Sequence, residues 1–303
     1  MQFVTKSLKY FIILVIINFS CINAEEDSKK SEISDSLKFK VSEVKGFDIP
    51  YRLDDADEKY KLPDDLDEIS GIQYIKENVI ACVQDEKGKI YYYDLKKDEI
   101  TEKYDFADDG DYEDLEIIGD VAYVIRSDGR LYRIENFPSD DMDVKHRDLP
   151  LKSKNNVEGL CYDPATNSLL LACKDEAGID VNLKKKRAVY SFEIDKTDFN
   201  SKPRFLIDID VLRKITDKKN TSFQPSGIAI HPITNHIYMI ATAGKLLVVL
   251  SPEGEILGVE ELDKDELKQP EGITFDQQGN MYISNEARGG KGNIMLFNYQ
   301  KNE

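Results

Sequence analysis

The sequence repeats one short motif five times. The copies are Glu68-Ile-Ser-Gly-Ile72, Tyr112-Glu-Asp-Leu-Glu116, Asn156-Val-Glu-Gly-Leu160, Gln224-Pro-Ser-Gly-Ile228 and Gln269-Pro-Glu-Gly-Ile273. Each copy begins a strand-like run that is followed by a second run, a Gly-containing turn and a third run. Short strands that recur about every 45 residues are typical of β-propeller blades. The motif therefore predicts an all-β protein with one blade for each copy.

The strand pattern predicts a five-bladed β-propeller over residues 46–303. Four strand-like runs follow each of the first four motifs, but only three follow the last. An upstream run, Phe47-Asp-Ile-Pro-Tyr-Arg-Leu53, is expected to supply the missing strand, which would close the ring and remove two exposed edges.

A six-bladed ring is the alternative, and it would need a hidden blade between the third and fourth motifs. That interval, from Gly159 to Gly227, is 68 residues, against 45 from Gly227 to Gly272. We assign the excess to a hairpin loop at Lys184–Arg187 and an amphipathic helix at Asp210–Lys219. We expect another small helix over Asp263–Leu267.

The N-terminus has the pattern of an export signal. Lys6 and Lys9 precede a short apolar run, which is shorter than the roughly 20 residues of a membrane-spanning helix. Cys21 follows Phe19 and Ser20, which indicates a signal over residues 1–21 and lipidation at Cys21. We therefore expect a cell-envelope lipoprotein that touches the membrane only through its lipid anchor. Residues 22–45 are rich in Glu, Asp, Ser and Lys and are predicted to be a flexible tether.

The alternative is ordinary signal cleavage after Ala24, which would give a secreted or periplasmic soluble protein.

The charge balance favours cationic partners. The 303 residues include 41 Lys and Arg against 58 Asp and Glu, a net charge of −17. Removal of residues 1–20 takes away Lys6 and Lys9, leaving 39 against 58, or −19. Such a field repels nucleic acid and anionic lipid headgroups and attracts divalent cations. We expect a monomer that binds no nucleic acid.

The remaining cysteines have the pattern of buried thiols. Cys82, Cys161 and Cys173 each lie in an apolar run, and none has the CxxC spacing. A Cys161–Cys173 disulfide is the alternative for an exported protein.

One column of the repeat predicts a metal site. The residue before the motif Gly is Ser70, Glu113, Glu158, Ser226 and Glu271, and Asp114 takes the place of the Gly in the second copy. In a propeller these positions would form a ring at the mouth of the central channel. Three converging Glu carboxylates repel one another unless a cation lies among them, and Ca²⁺ takes roughly six to eight oxygen ligands.

We therefore predict a Ca²⁺ site at Glu113, Glu158 and Glu271, with Asp114, Glu116, Ser70 and Ser226 adding oxygens or holding waters. A water-filled channel that binds nothing is the alternative.

A second set of polar residues follows the second strand of each blade. These residues are Asp85, Arg126, Lys174, Asp175, Asn285, Glu286 and Arg288. Facing the same mouth, they would suit a polar small molecule. The alternative is a solvated turn face, since turns are normally polar.

The five motifs and their order resemble the SdiA-regulated (YjiK-type) family of NHL-like propellers. The resemblance extends over residues 46–299. It implies a bacterial envelope protein with a five-bladed propeller, a calcium site and no established biochemical activity. Carried over to this sequence, it implies a Ca²⁺ site that draws on Glu113, Glu158 and Glu271.

Three functional hypotheses follow. The leading one is a non-enzymatic, Ca²⁺-binding propeller that binds a polar small molecule or an envelope protein at the channel mouth. The alternative is a Ca²⁺-dependent phosphoester or lactone hydrolase, in which Arg126, Lys174 and Arg288 would bind the anion. The third is an interaction scaffold with an empty channel, whose partner binds a blade edge or the 210–219 insertion. For a hydrolase, no catalytic residue beyond the metal ligands is evident.

Overall fold

The computed structural model describes residues 41–300. Residues 41–45 are helical, and the chain from Phe47 onward forms a compact unit of its own. The predicted signal, Cys21 and most of the predicted tether lie outside the described residues.

The compact unit is built from four-stranded antiparallel sheets, arranged as a five-bladed β-propeller. Blade 1 contains β2 (Ile69–Lys76), β3 (Val79–Gln84), β4 (Lys89–Asp94) and β5 (Glu99–Asp105). Blade 2 contains β6 (Tyr112–Ile118), β7 (Val121–Arg126), β8 (Arg130–Glu135) and β9 (Asp143–Asp148), and blade 3 contains β10 (Val157–Asp163), β11 (Ser168–Cys173), β12 (Lys186–Glu193) and β13 (Asp198–Asp208). Blade 4 contains β14 (Gln224–Ile230), β15 (Ile237–Ala243), β16 (Leu246–Leu250) and β17 (Ile256–Glu261), and blade 5 contains β18 (Pro270–Phe275), β19 (Met281–Asn285), β20 (Asn293–Phe297) and, from the other end of the chain, β1 (Glu58–Lys61). The predicted fold is confirmed, and the six-bladed alternative is wrong.

An N-terminal strand closes the fifth blade, as predicted, but it is a different segment. Strand β1 pairs with β20 in antiparallel register, with Glu58 opposite Leu296. The predicted strand, Phe47–Leu53, is irregular, because Pro50 lacks the backbone N–H that a sheet ladder needs. Its Tyr51 and Leu53 are instead buried in the apolar core shared by blades 4 and 5.

The long interval in blade 3 contains the predicted insertions, with shifted bounds. Helix α1 (Ile209–Thr216) begins at Asp208, whose side chain accepts a bond from Asp210 N, and ends at Asp217 in the left-handed region. The hairpin loop occupies residues 174–185, so Lys186 and Arg187 belong to β12.

The predicted helix over Asp263–Leu267 is wrong. The segment is a single turn, which Asp263 begins by accepting from Asp265 N and Glu266 N through its side chain and from Leu267 N through its carbonyl oxygen, and the described backbone does not continue as a helix.

Apolar clusters between neighbouring blades form the core. The cysteine thiols are free and buried in three of them: Cys82 between blades 5 and 1, Cys161 between blades 3 and 4, and Cys173 between blades 2 and 3. Cys161 and Cys173 therefore point to opposite faces of blade 3. This excludes the alternative disulfide in the structure and confirms the predicted buried thiols.

His231 replaces an aspartate at a turn that recurs in three blades. After the innermost strand, Asp163 accepts from Ala165 N and Asp276 accepts from Gln278 N. In blade 4, His231 Nδ1 takes this role and accepts from Thr234 N at 3.2 Å. A protonated imidazole has no free lone pair, so the turn requires neutral His231.

The surroundings of His231 also favour its neutral form. The ring is fully buried against Tyr51, Tyr238, Phe275 and Tyr299. Burial, with a further contribution from His236, lowers the pKa of His231 to about 4, although Asp276 opposes the shift.

This arrangement predicts acid sensitivity at the junction of blades 4 and 5. The unfolded chain binds the His231 proton more readily, so the free energy of unfolding should fall as the pH drops below about 6.5 and level off below about 4. The His231 contribution is about 3 kcal/mol, at about 1.4 kcal/mol for each pKa unit between 6.5 and about 4. His231→Asn keeps an acceptor but does not titrate. Its free energy of unfolding, measured by urea denaturation, should therefore fall by that much less than that of wild type between pH 7 and pH 4. Exposed His146→Asn is the control, and equal losses in wild type and His231→Asn would contradict the prediction.

Candidate functional site at the channel mouth

A β-bulge occurs at the motif in every blade. The register between the first and second strands shifts across the residue before the Gly, for example between Val157 and Gly159 and between Tyr112 and Asp114. The other three blades shift at the same place. A bulge leaves one residue out of the ladder and re-aims its side chain. The unpaired residues are Ser70, Glu113, Glu158, Ser226 and Glu271, the column that the sequence analysis singled out.

The motif glycines allow the innermost strands to approach closely. A Cβ atom on Gly71 would lie 2.1 Å from Asp114 Oδ1, and one on Gly227 would lie 2.6 Å from the Glu271 carbonyl oxygen. Any side chain at these positions would force neighbouring blades apart. The five unpaired residues are consequently crowded around one axis.

The three Glu carboxylates affect one another, and Glu158 is buried while Glu113 and Glu271 are half-buried. Burial and the charges of Glu158, Asp111 and Glu271 raise the pKa of Glu113 well above its usual value. Burial raises the pKa of Glu271 to about 8, and Glu158 adds to the shift. Glu158 is also raised by burial, to a pKa of about 7. The charges of the three side chains therefore act on one another, at a cost in desolvated negative charge.

Lys174 places a positive charge among these carboxylates. Its Nζ lies 2.6 Å from Glu158 Oε1, and the Glu158 side chain is only 6% exposed. Although burial disfavours its charge, the Glu158 carboxylate holds the pKa of Lys174 above its usual value, and Glu271 and Glu113 add to this. Sequence analysis assigned Lys174 to the second polar set, because it follows β11. The structure turns the side chain inward to the Glu ring.

The acidic mouth extends beyond the predicted residues. Burial, a hydrogen bond with Glu68 and the charges of Glu68 and Asp85 raise the pKa of Glu286 to about 7. Burial raises the pKa of Asp85 to about 6, with contributions from Glu68, Glu86 and Asp111. Sequence analysis missed Glu68 and Asp111. The available signal was their position, since Glu68 opens the first motif and Asp111 directly precedes the second.

Asp114 joins the innermost strands of blades 2 and 3. Its Oδ1 accepts from Leu115 N at 2.9 Å and its Oδ2 accepts from Leu160 N at 2.7 Å. Gly71 leaves the space that this larger residue needs. Asp114 thus satisfies backbone donors at the position where the other four blades have Gly.

Glu116 makes a similar connection deeper in the channel. It accepts from Gln73 Nε2 in blade 1 at 2.7 Å and from Tyr162 N in blade 3 at 3.1 Å. Burial raises the pKa of Glu116 to about 8. Both carboxylate oxygens of Asp114 and both of Glu116 accept hydrogen bonds from neighbouring groups. We therefore leave these two residues out of the candidate cation site.

The serines of the ring are also engaged between blades. Ser226 Oγ donates to the Pro270 carbonyl oxygen at 2.6 Å, and Ser70 is 5% exposed next to Ser284, which donates to the Ser70 carbonyl oxygen.

The second polar set divides into paired and unpaired groups. Arg126 pairs with Asp128 at 2.9 Å, Arg288 Nε donates to Gln269 Oε1, and Asp175 accepts from Gln224 Nε2 at 2.7 Å. Three buried atoms of this set have no hydrogen-bond partner within residues 41–300: Asp85 Oδ1, Arg126 Nε and Asn285 Oδ1. Polar atoms of this kind are normally satisfied by water or by a polar ligand.

The acidic mouth is not a preformed metal cage. Within the described part of the chain, no three acidic, His or Cys side chains are already placed to hold a metal ion. Glu113, Glu158 and Glu271 would have to close on an ion. Their chemistry fits a hard divalent cation, since carboxylate oxygens are its preferred ligands.

A family model for SdiA-regulated proteins matches residues 56–288. The chain belongs to the SdiA-regulated family. The match includes all five motifs and the three Glu residues of the ring, so the resemblance in the sequence is confirmed. No curated protein matches this family member.

Solved propellers share the fold of this family member at low identity. Glutaminyl cyclase from Myxococcus xanthus gives a TM-score of 0.54 at 10% identity, with 82% of this chain and 97% of that chain covered. The PQQ-bound aldose sugar dehydrogenase from Streptomyces coelicolor gives a TM-score of 0.50 at 11% identity, with 80% of this chain and 97% of that chain covered. At such identities the similarity concerns the fold alone.

Helices in residues 41–300 are too short or too polar to span a bilayer.

The role of Asp114 gives a stability prediction. Asp114→Ala would leave the buried Leu160 N–H without its acceptor, at a cost of about 1–3 kcal/mol for an unsatisfied buried donor. Asp114→Asn, which keeps one acceptor, should lose less. Chemical denaturation measures both, with Asp120→Ala in an exposed turn as the control. A loss in Asp114→Ala no larger than in the control would contradict the proposed connection.

Proposed function

We propose that this family member is a non-enzymatic binding module that takes up Ca²⁺ at the mouth of its propeller channel. The observation that carries the proposal is the mutual effect of the Glu113, Glu158 and Glu271 charges at the bulges, where Glu158 is buried and the other two are half-buried. Three ionised carboxylates carry three negative charges, of which Lys174 offsets only one. A divalent cation in its place would offset two.

The three carboxylates come from blades 2, 3 and 5. A Ca²⁺ ion shared by them would connect blades that are distant in sequence, and waters would supply its remaining oxygen ligands. Because the ion binds the folded ring and not the unfolded chain, it would stabilise the closed propeller by mass action.

The polar groups around the ring support a further ligand at the same mouth. The unpaired Asp85 Oδ1, Arg126 Nε and Asn285 Oδ1 would accept or donate hydrogen bonds to a polar small molecule or to a polar segment of an envelope protein.

The hydrolase alternative gains no support from these groups. Lys174 and Arg288, two of its candidate anion binders, are engaged with Glu158 and Gln269. The third, Arg126, pairs with Asp128, and its buried Nε is the one atom of these side chains without a hydrogen-bond partner within residues 41–300. We therefore propose no catalytic residue.

We also propose that the protein is exported and anchored through Cys21. The support is the basic and apolar pattern of residues 1–21 and the polar composition of residues 22–45. If so, a Cys21→Ser variant should move from the detergent-soluble membrane fraction to the soluble fraction and lose incorporation of labelled fatty acid. Fatty-acid labelling that persists in Cys21→Ser would show that another residue is lipidated.

Calcium should raise the thermal unfolding midpoint. At a free Ca²⁺ concentration about 100 times the Kd, binding adds about 2.7 kcal/mol. In a domain of this size that raises Tm by roughly 5–10 °C. Scanning calorimetry in EDTA, in excess Ca²⁺ and in excess Mg²⁺ measures the effect. Equal unfolding midpoints in EDTA and in Ca²⁺ would contradict the proposed Ca²⁺ site.

Glu113→Gln should change stability in opposite directions with and without the ion. In EDTA the variant removes repulsion from Glu158, Asp111 and Glu271 and should be more stable by about 1 kcal/mol. In Ca²⁺ it loses a ligand, so its Tm should fall below that of wild type. Glu99→Gln, on the exposed strand β5, removes the same charge away from the mouth and should show neither change. A Glu113→Gln variant that is less stable in both conditions would show that Glu113 has a structural role instead.

A further inference from the structure

Lys174 occupies the position where a divalent ion would compete for Glu158. Glu158 Oε1 accepts from Lys174 Nζ at 2.6 Å and from Asn156 Nδ2 at 2.9 Å. The same oxygen cannot also coordinate a metal without losing at least one of these donors. We infer that Lys174 is a built-in competitor of the cation, and that binding a divalent ion at the mouth expels its ammonium group from the Glu ring. The inference rests on the proposed Ca²⁺ site and concerns how that site is regulated.

The first argument is electrostatic. The Lys174 charge acts on Glu113 and Glu271 as well as on Glu158. A Ca²⁺ ion among these carboxylates would lie close to the ammonium, in a buried environment where charges a few ångströms apart interact strongly. The two cations therefore exclude each other, while either one alone relieves the repulsion within the ring.

The second argument is geometric. The charges of the three carboxylates act on one another, yet in residues 41–300 no three acidic, His or Cys side chains are already placed to hold a metal. Pairing with a lysine fits both facts, because the Lys174 ammonium makes a short contact with Glu158 and its charge acts on Glu113 and Glu271.

The third argument is that Lys174 has a route out of the ring. It directly follows β11, at the mouth, and its side chain is 24% exposed. Lysine has a long, flexible stem, so the ammonium can reach solvent by side-chain rotation. The backbone can stay in place, where Lys174 N donates to the Asn156 carbonyl oxygen at 2.8 Å.

The competition would favour divalent over monovalent ions. A monovalent cation that displaces Lys174 exchanges one positive charge for another and gains little. A divalent ion adds a net positive charge to a ring that Lys174 leaves undercompensated. Lys174 therefore lowers the affinity of the site for every cation, and it lowers the affinity most for Na⁺ and K⁺.

Titration calorimetry with Ca²⁺ alone tests the inference. Lys174→Met keeps the length of the side chain and removes the competing charge, so its Kd should be at least about tenfold lower than that of wild type. Lys154→Met is the matched control, because it removes an equal charge from an exposed side chain near the same mouth and should leave the Kd within about twofold.

Amine labelling of the wild-type protein gives a readout that needs no variant. Acetylation followed by mass spectrometry should modify Lys174 slowly in EDTA and at least about fivefold faster in saturating Ca²⁺, because the freed ammonium is more exposed and no longer held by Glu158. Lys154 should be modified at the same rate in both conditions. This arm remains informative if Lys174→Met folds poorly, which circular dichroism would show.

The outcomes separate this inference from the proposed function. Equal Ca²⁺ affinity in wild type and Lys174→Met, with unchanged labelling of Lys174, would overturn the competition and leave the Ca²⁺ site standing. Absence of Ca²⁺ binding in both proteins would overturn the site and the competition together. Tighter binding by Lys174→Met, or faster labelling of Lys174 in Ca²⁺, supports the competition.

Discussion

The close approach of five innermost strands around one axis is the constraint on which the structure depends. The strands pack so tightly that a Cβ atom on Gly71 or Gly227 would overlap the next blade. Four of the five motifs have a Gly at this position, and all five have a bulge. The Gly admits the neighbouring backbone, and the bulge turns the preceding residue out of the ladder. Asp114 is the exception that fits the same constraint, because its carboxylate fills the gap and satisfies Leu160 N.

The geometry of the fold therefore determines the chemistry of the mouth. The bulge turns out whatever residue precedes the Gly, so three Glu in that column become an acidic cluster that is shielded from solvent in part. Such a cluster is unfavourable by itself, since burial and mutual repulsion both oppose ionisation. Lys174 partly compensates this negative charge, because its ammonium group pairs with Glu158. Under the proposed competition, the site would hold its own counter-ion before a ligand arrives, and its selectivity would depend on which cations can displace Lys174.

Sequence alone predicted the features that repeat. The motif column established the blade count and brought Glu113, Glu158 and Glu271 together, because a propeller converts periodic positions into a ring. Features that occur once were harder to predict. The closing strand was misplaced, since Phe47–Leu53 is apolar enough for a strand but is interrupted by Pro50, whereas β1 is short and polar. Lys174 was assigned to the outer set, because a residue at a strand end can point inward or outward and periodicity does not decide which. Glu68 and Asp111 lie just outside the repeated column and gave no periodic signal.

Closure of the fifth blade by β1 has a consequence for the synthesis of the protein. Blades 1 to 4 are each continuous in sequence and can form from local hairpins as the chain emerges. Blade 5 needs Glu58–Lys61 to meet Asn293–Phe297, a contact across more than 230 residues. Contacts of such separation form late and slowly. Until then the edges of β1 and β20 are unpaired and open to association with other chains. The newly made protein is therefore exposed to aggregation for longest at β1 and β20, the two strands whose pairing closes the ring.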